Sequence, residues 1–148
     1  MNEKKKLVLT WDDVAKQSEL LAEKIKQAGP LKGIVCIARG GLVPTAIVAN
    51  ALEIRNVKSI AVVSYHGYEQ RSAEVLGSVE NILDGEGWVF IDDLADSGQT
   101  AQLIKKRYPK AKLAVPYTKP KGKQFCDFFV AEVPQDEWLE FPWEISID

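Results

Sequence analysis

The chain predicts an α/β domain of three layers around a mainly parallel sheet. Three observations carry that prediction. The unbroken apolar runs Ile34-Val35-Cys36-Ile37 and Trp88-Val89-Phe90-Ile91 have the pattern of strands buried on both faces. Segments with helical spacing alternate with such runs, as they do where helices cross over between parallel strands. The first run ends in Arg39-Gly40-Gly41 and the second in Asp92-Asp93. In open sheets of this kind ligands bind beyond the carboxyl ends of the strands, where these residues lie.

Element by element, Lys4-Lys5-Lys6 is a solvated basic tail that leads into a short strand pattern. Thr10 is placed to cap a helix, with Asp13 three residues on. Val14, Leu21, Ile25 and Ala28 then share one helical face, and the helix stops near Gly29-Pro30. After the strand at 34–37, residues 43–52 form a second helix, and 59–64 a second strand. The polar stretch 66–81 has no clear period and is expected to be a long mobile loop. The strand at 88–91 follows, then a helix over 97–108 with Ala101, Ile104 and Tyr108 in register, closed by Pro109. Strands at 113–115 and 128–130 complete the sheet. With no repeat and no low-complexity linker, 1–148 is a single domain, a size that supports one core.

Composition narrows the function. Hydrophobic residues make up 46% and charged residues 27%, ordinary for a soluble globular protein. A net charge of −2 gives no global basic field, which argues against nucleic acid as a partner. No apolar stretch approaches the ~20 residues that span a bilayer, so no integral membrane association is expected, and nothing resembles a signal peptide. Cys36 and Cys126 sit in apolar runs and read as thiols of a reducing, cytoplasmic compartment. With a single histidine, His66, a zinc site built from protein ligands is not expected.

The residues that carry chemistry lie in Ile91-Asp92-Asp93-Leu94-Ala95-Asp96-Ser97-Gly98-Gln99-Thr100. A strand delivers two carboxylates, and a short polar loop then opens a helix. Ser97, Gly98, Gln99 and Thr100 offer backbone N–H groups and hydroxyls to a phosphate, where the helix dipole also favours an anion. Asp92 and Asp93 can hold ribose hydroxyls and a Mg²⁺ ion. A sugar phosphate with a second, metal-bound anionic group satisfies both halves. Helix capping explains one acid here, but not three acids around a hydroxyl-flanked glycine.

This segment resembles the phosphoribosyl pyrophosphate motif of the type I phosphoribosyltransferases, and nearly the whole chain is similar to the bacterial xanthine-guanine enzymes. Arg39-Gly40-Gly41-Leu42-Val43-Pro44 resembles their pyrophosphate-binding turn, and Tyr68-Glu69-Gln70-Arg71 the arginine-bearing stretch of their mobile loop. Lys119-Pro120 and Pro134-Gln135-Asp136-Glu137-Trp138 resemble their purine-site segments, and Pro142-Trp143 follows. The resemblance implies the fold of that family, with a small C-terminal purine-binding hood. It implies transfer of the 5-phosphoribosyl group to a 6-oxopurine (guanine, xanthine or hypoxanthine) with Mg²⁺ as cofactor, in a dimer or tetramer. Arg39, Gly40, Arg71, Asp92, Asp93, Ser97, Gly98, Gln99 and Thr100 would then hold phosphoribosyl pyrophosphate, with Asp93 on the metal. Asp96 would face N7 of the purine and manage its proton. Lys119 would donate to the oxygen at C6, Trp138 would stack on the base, and the backbone near Leu139 would meet C2.

Gln99 departs from the glycine or small residue common after Gly98, and Ala38 replaces a serine before the arginine turn. Two other readings compete. A fold of this family can sense a nucleotide without catalysis, but such a protein has no need of Asp96, Lys119 and Trp138 together. A phospho-receiver domain also carries an acidic pair and a Lys-Pro, but its acids follow the first strand, whereas Asp92-Asp93 come late.

Overall fold

A computed structural model describes residues 5–66 and 71–147. Alternation within the apolar runs builds the layers. In β2 (Gly33–Ala38), Ile34 packs toward one face and Val35 and Ile37 toward the other. In β5 (Trp88–Ile91), Val89 and Ile91 join the first side, Trp88 and Phe90 the second. Helices α1 (Trp11–Lys26) and α2 (Leu42–Ala51) cover the first face with Leu21, Ala22, Ile25, Val48 and Ala49. Helix α3 (Gln99–Arg107) covers the second with Ala101 and Ile104, and Phe90 stacks on Tyr108 at 5.4 Å. This is the three-layer arrangement of the type I phosphoribosyltransferase fold that the resemblance implies. Thr10 caps α1 as anticipated: its hydroxyl accepts from the Asp13 N–H, and the Asp13 carboxylate accepts from the Thr10 N–H.

The remaining strands are β3 (Val57–His66), β4 (Arg71–Leu76), β6 (Leu94–Ala95), β7 (Lys112–Thr118) and β8 (Phe128–Glu132). Their order is β4-β3-β2-β5-β7-β6, with β8 also on β7, and only β3–β4 is antiparallel. β5 and β6 both pair with β7, at Lys112 to Ala114 and at Tyr117 to Thr118. Because β8 occupies the opposite edge of β7 over the same rows, β5 and β6 are two halves of one line of chain. The line breaks at Asp92-Asp93, between the two pairings with β7.

β4 corrects the expectation of a loop through 66–81. Val75 packs against the core beside Val62, while Glu74 and Leu76 are exposed. A half-exposed edge strand alternates, but Arg71-Ser72-Ala73-Glu74 hides that period among polar and small residues. Val79 and Ile82 are then buried in the core, and the Val79 N–H donates to the Tyr108 hydroxyl at 2.9 Å. The stretch from 71 to 82 is thus paired and docked; residues 67–70 lie outside the described residues.

The hood is a two-stranded parallel pair, β1 (Lys6–Val8) with β9 (Trp138–Glu140). Leu9, Val14, Tyr117, Val133, Leu139 and Phe141 make its core, so it is fastened to the carboxyl end of β7 through Tyr117. Trp143 stacks on Phe141 at 4.8 Å, and Trp88 is buried in the main core.

Candidate active site

Neighbouring strand ends bring the first group together. β2 and β5 run parallel with Cys36 opposite Ile91, so the turn after β2 meets the acids after β5. Arg39 follows a cis peptide from Ala38 and is exposed on that turn. The contact is close at Gly40: a Cβ there would fall 2.6 Å from the carboxylate atoms of Asp93. Any larger residue would displace that acid. Gly41 is as tightly held, since a side chain there would strike the Ile91 carbonyl.

Asp92 and Asp93 are half-buried, and the Asp93 N–H donates to Asp92 Oδ1 at 2.8 Å. Loss of water pushes the Asp92 carboxyl well above the usual carboxylate range, and the Asp93 charge adds to the shift. Burial raises Asp93 as well, against lowering hydrogen bonds from Asp92 and the backbone. Two acids so placed favour a cation or hydroxyl donors between them. Among the described residues no three His, Cys, Asp or Glu side chains converge as a metal cage. Two carboxylates are a donor set of the kind that Mg²⁺ takes, since that ion binds one or two carboxylates and completes its shell with other oxygens and water.

The loop after β6 forms the second group. Gly98 has φ of 87°, and a Cβ there would collide with the Phe125 ring. The left-handed turn and the close ring both require glycine at this position. Gly98 starts α3, so Gln99, Thr100 and Ala101 form the helix's N-terminal turn, where an anion is favoured. Ser97 Oγ accepts from the Gln99 N–H at 3.4 Å. Gln99, the departure from the motif, is exposed and lines the cleft.

A cleft of about 400 Å³ opens beside this loop, lined by Asp96, Ser97, Lys119, Gln135 and Trp138 among others. Its size is that of a small-molecule site. Lys119, at the carboxyl end of β7, is only 5% exposed, an unusual position for a lysine. Its Nζ lies 3.4 Å from Asp96 Oδ2. Asp96 Oδ1 accepts from Gln135 Nε2 at 2.9 Å. Trp138 stands half-exposed on the rim. Leu139 alternates inward, so its side chain belongs to the hood core and only its backbone can reach a ligand.

The arginine turn thus meets the acid pair at the carboxyl ends of β2 and β5, and the phosphate-type loop lines the cleft with the buried lysine against its Asp96. The sequence pattern that defines the phosphoribosyl transferase domain matches residues 9–148.

The chain belongs to the phosphoribosyltransferase family.

It is similar to the xanthine-guanine phosphoribosyltransferase of Nitratidesulfovibrio vulgaris, 44% identical over 140 residues covering 94% of this chain and 85% of that protein. The purine phosphoribosyltransferase of Pyrococcus horikoshii has a similar structure, with a TM-score of 0.79, 28% identity and 97% coverage of both chains. The xanthine-guanine-hypoxanthine enzyme of Helicobacter pylori shares the fold at a TM-score of 0.77 and 23% identity, over 95% and 94% of the two chains.

Of the residues anticipated from the sequence, Asp96, Ser97, Gln99, Lys119 and Trp138 line the cleft, and Gly40 lies against Asp93. Arg71 opens β4 opposite His66, but its side chain is outside the described residues. Gln135 and Phe125 are the residues that sequence reasoning missed. Gln135 lay within a segment noted for its resemblance, and nothing in the residue type marked it; Phe125 was not singled out.

The raised carboxyls make a pH prediction for the ligand-free protein. A folded-state pKa above the unfolded value means that folding holds a proton which the unfolded chain releases. The resulting penalty is absent below the unfolded value, about 4, and grows as pH rises toward the raised folded value. Asp92→Asn removes the ionisation. Relative to wild type it is expected to gain thermal stability from pH 4 toward pH 8, by at least about 2 °C. Melting curves across that range check this; a difference that shrinks with rising pH contradicts it.

Proposed function

We propose that this phosphoribosyltransferase performs purine salvage: it moves the 5-phosphoribosyl group of phosphoribosyl pyrophosphate onto N9 of a 6-oxopurine, giving the nucleoside 5'-monophosphate and pyrophosphate. The observation that carries this reading is the cleft in which the buried Lys119, Asp96 and Trp138 stand beside the loop from Ser97 to Thr100. The sensor reading gives no account of the buried lysine and its carboxylate partner.

In the reaction the C1–N9 bond forms as the C1–O bond to pyrophosphate breaks. Ser97, Gly98, Gln99 and Thr100 hold the 5-phosphate at the start of α3. Asp92 and Asp93 receive the ribose hydroxyls, and Asp93, close to Gly40, would hold the metal. Arg39 and the Gly40 backbone take the pyrophosphate, joined by Arg71; an arginine fork matches phosphate oxygens. Mg²⁺ held there would neutralise charge on the leaving pyrophosphate. Lys119 donates to the oxygen at C6, Trp138 stacks on the ring, and the Leu139 backbone meets C2. Asp96 accepts the N7 proton as N9 attacks.

We also propose a homo-oligomer, dimer or tetramer, supported by the exposed Trp11 and Leu42, and a cytoplasmic setting, supported by the free thiols of Cys36 and Cys126. Among the described residues no helix is long and apolar enough to cross a membrane. The test supplies phosphoribosyl pyrophosphate with guanine, xanthine or hypoxanthine and identifies the nucleotide. Product is expected with Mg²⁺ and none in excess chelator. Full turnover in chelator overturns the metal role.

A further inference from the structure

Gln135 makes three contacts that belong to no step described so far. Its Nε2 donates to Asp96 Oδ1 at 2.9 Å and approaches the Asp96 carbonyl oxygen at 3.4 Å. Its Oε1 accepts from the Lys121 N–H at 2.9 Å. The amide cannot be turned over without facing oxygen to carboxylate and nitrogen to N–H, so its partners fix its orientation.

We propose that Gln135 is a positioning residue for Asp96, an inference that rests on Asp96 taking the purine's proton. One amide ties three segments together: the phosphate loop at Asp96, the turn after β7 at Lys121, and the chain leading to Trp138. The Asp96 carboxylate accepts from Gln135 at 2.9 Å and from Lys119 at 3.4 Å, and Gln135 makes the shorter of these bonds. Without Gln135, the carboxylate swings onto the Lys119 ammonium. That motion takes the acceptor from N7 and draws the donor from the oxygen at C6. The damage falls on the base half of the reaction and spares the phosphate half, whose contacts lie in Ser97, Gly98 and Thr100.

Two variants separate this role from packing. Gln135→Glu keeps shape and the acceptor for Lys121 but places a carboxylate against Asp96. Gln135→Met keeps length without polar atoms. Both are expected to lower kcat/KM for the 6-oxopurine by about 10- to 100-fold, Glu more than Met. Affinity for phosphoribosyl pyrophosphate with Mg²⁺ should stay within about twofold, because it does not depend on the Asp96 orientation. The melting temperature should fall by no more than a few degrees from the lost hydrogen bonds. In an Asp96→Asn background, Gln135→Met should add little, as expected of residues acting as one unit. If both variants turn over like wild type while Asp96→Asn is impaired, the positioning role is overturned and the reading of Asp96 stands. If affinity for phosphoribosyl pyrophosphate falls along with kcat, Gln135 is only structural and the inference fails. If Asp96→Asn itself turns over like wild type, the reading of Asp96 fails and takes this inference with it.

Discussion

Adenine is expected to be converted at least about 10⁴-fold less efficiently than a 6-oxopurine, the discrimination typical of sites built around a buried hydrogen bond. The reason is Lys119. Its ammonium has donors and no acceptor, and at 5% exposure it cannot turn to bulk water when the base is bound. A 6-oxopurine offers it an acceptor, whereas the 6-amino group of adenine offers another donor. Asp96 at 3.4 Å neutralises the ammonium but does not satisfy all its donors. Lys119→Met should lower kcat/KM for the 6-oxopurine by about 10- to 100-fold and narrow the gap to adenine. Specificity constants for each base with both proteins give the answer. A wild-type preference no larger than tenfold removes Lys119 from the role of reading C6.

Asp96→Asn is expected to lower kcat by about 10²–10⁴-fold, the usual cost of losing a positioned acid–base group. Asparagine keeps the size and one acceptor oxygen, which can serve the bond from Gln135 while its NH2 replaces the oxygen that faces Lys119. It cannot take a proton. Affinity for phosphoribosyl pyrophosphate should change little, since the loop contacts are untouched. Thr100→Ala should do the reverse, weakening that affinity with a smaller effect on the chemical step. Rapid-quench turnover and equilibrium binding of both variants test the division of labour. Wild-type turnover by Asp96→Asn would leave the residue as loop architecture alone.

Where burial on two faces leaves no choice of residue, the sequence was readable. Ile34 to Ile37 and Trp88 to Ile91 could be assigned because a strand covered on both sides must be apolar throughout. The acids after Ile91 and the glycines after Arg39 followed as strand-end residues, and they meet through Gly40 and Asp93. Short or half-exposed strands were not readable. β4 lies at an edge, and β9 is three residues whose partner, β1, comes from the other end of the chain. Local sequence carries no mark of such a pairing. Gln135 was hidden for a related reason: its meaning lies in which loops it joins. Leu139 shows the opposite case, since the strand alternation that exposes Trp138 turns Leu139 inward.

The central claim is group transfer coupled to release of pyrophosphate, and its most direct test is stoichiometry. Pyrophosphate and nucleotide are measured together in one reaction with Mg²⁺ and phosphoribosyl pyrophosphate, with and without a 6-oxopurine. The account predicts one pyrophosphate for each nucleoside 5'-monophosphate, and negligible pyrophosphate when the base is omitted. Binding of phosphoribosyl pyrophosphate with neither product formed from guanine, xanthine or hypoxanthine would contradict it and make the protein a sensor.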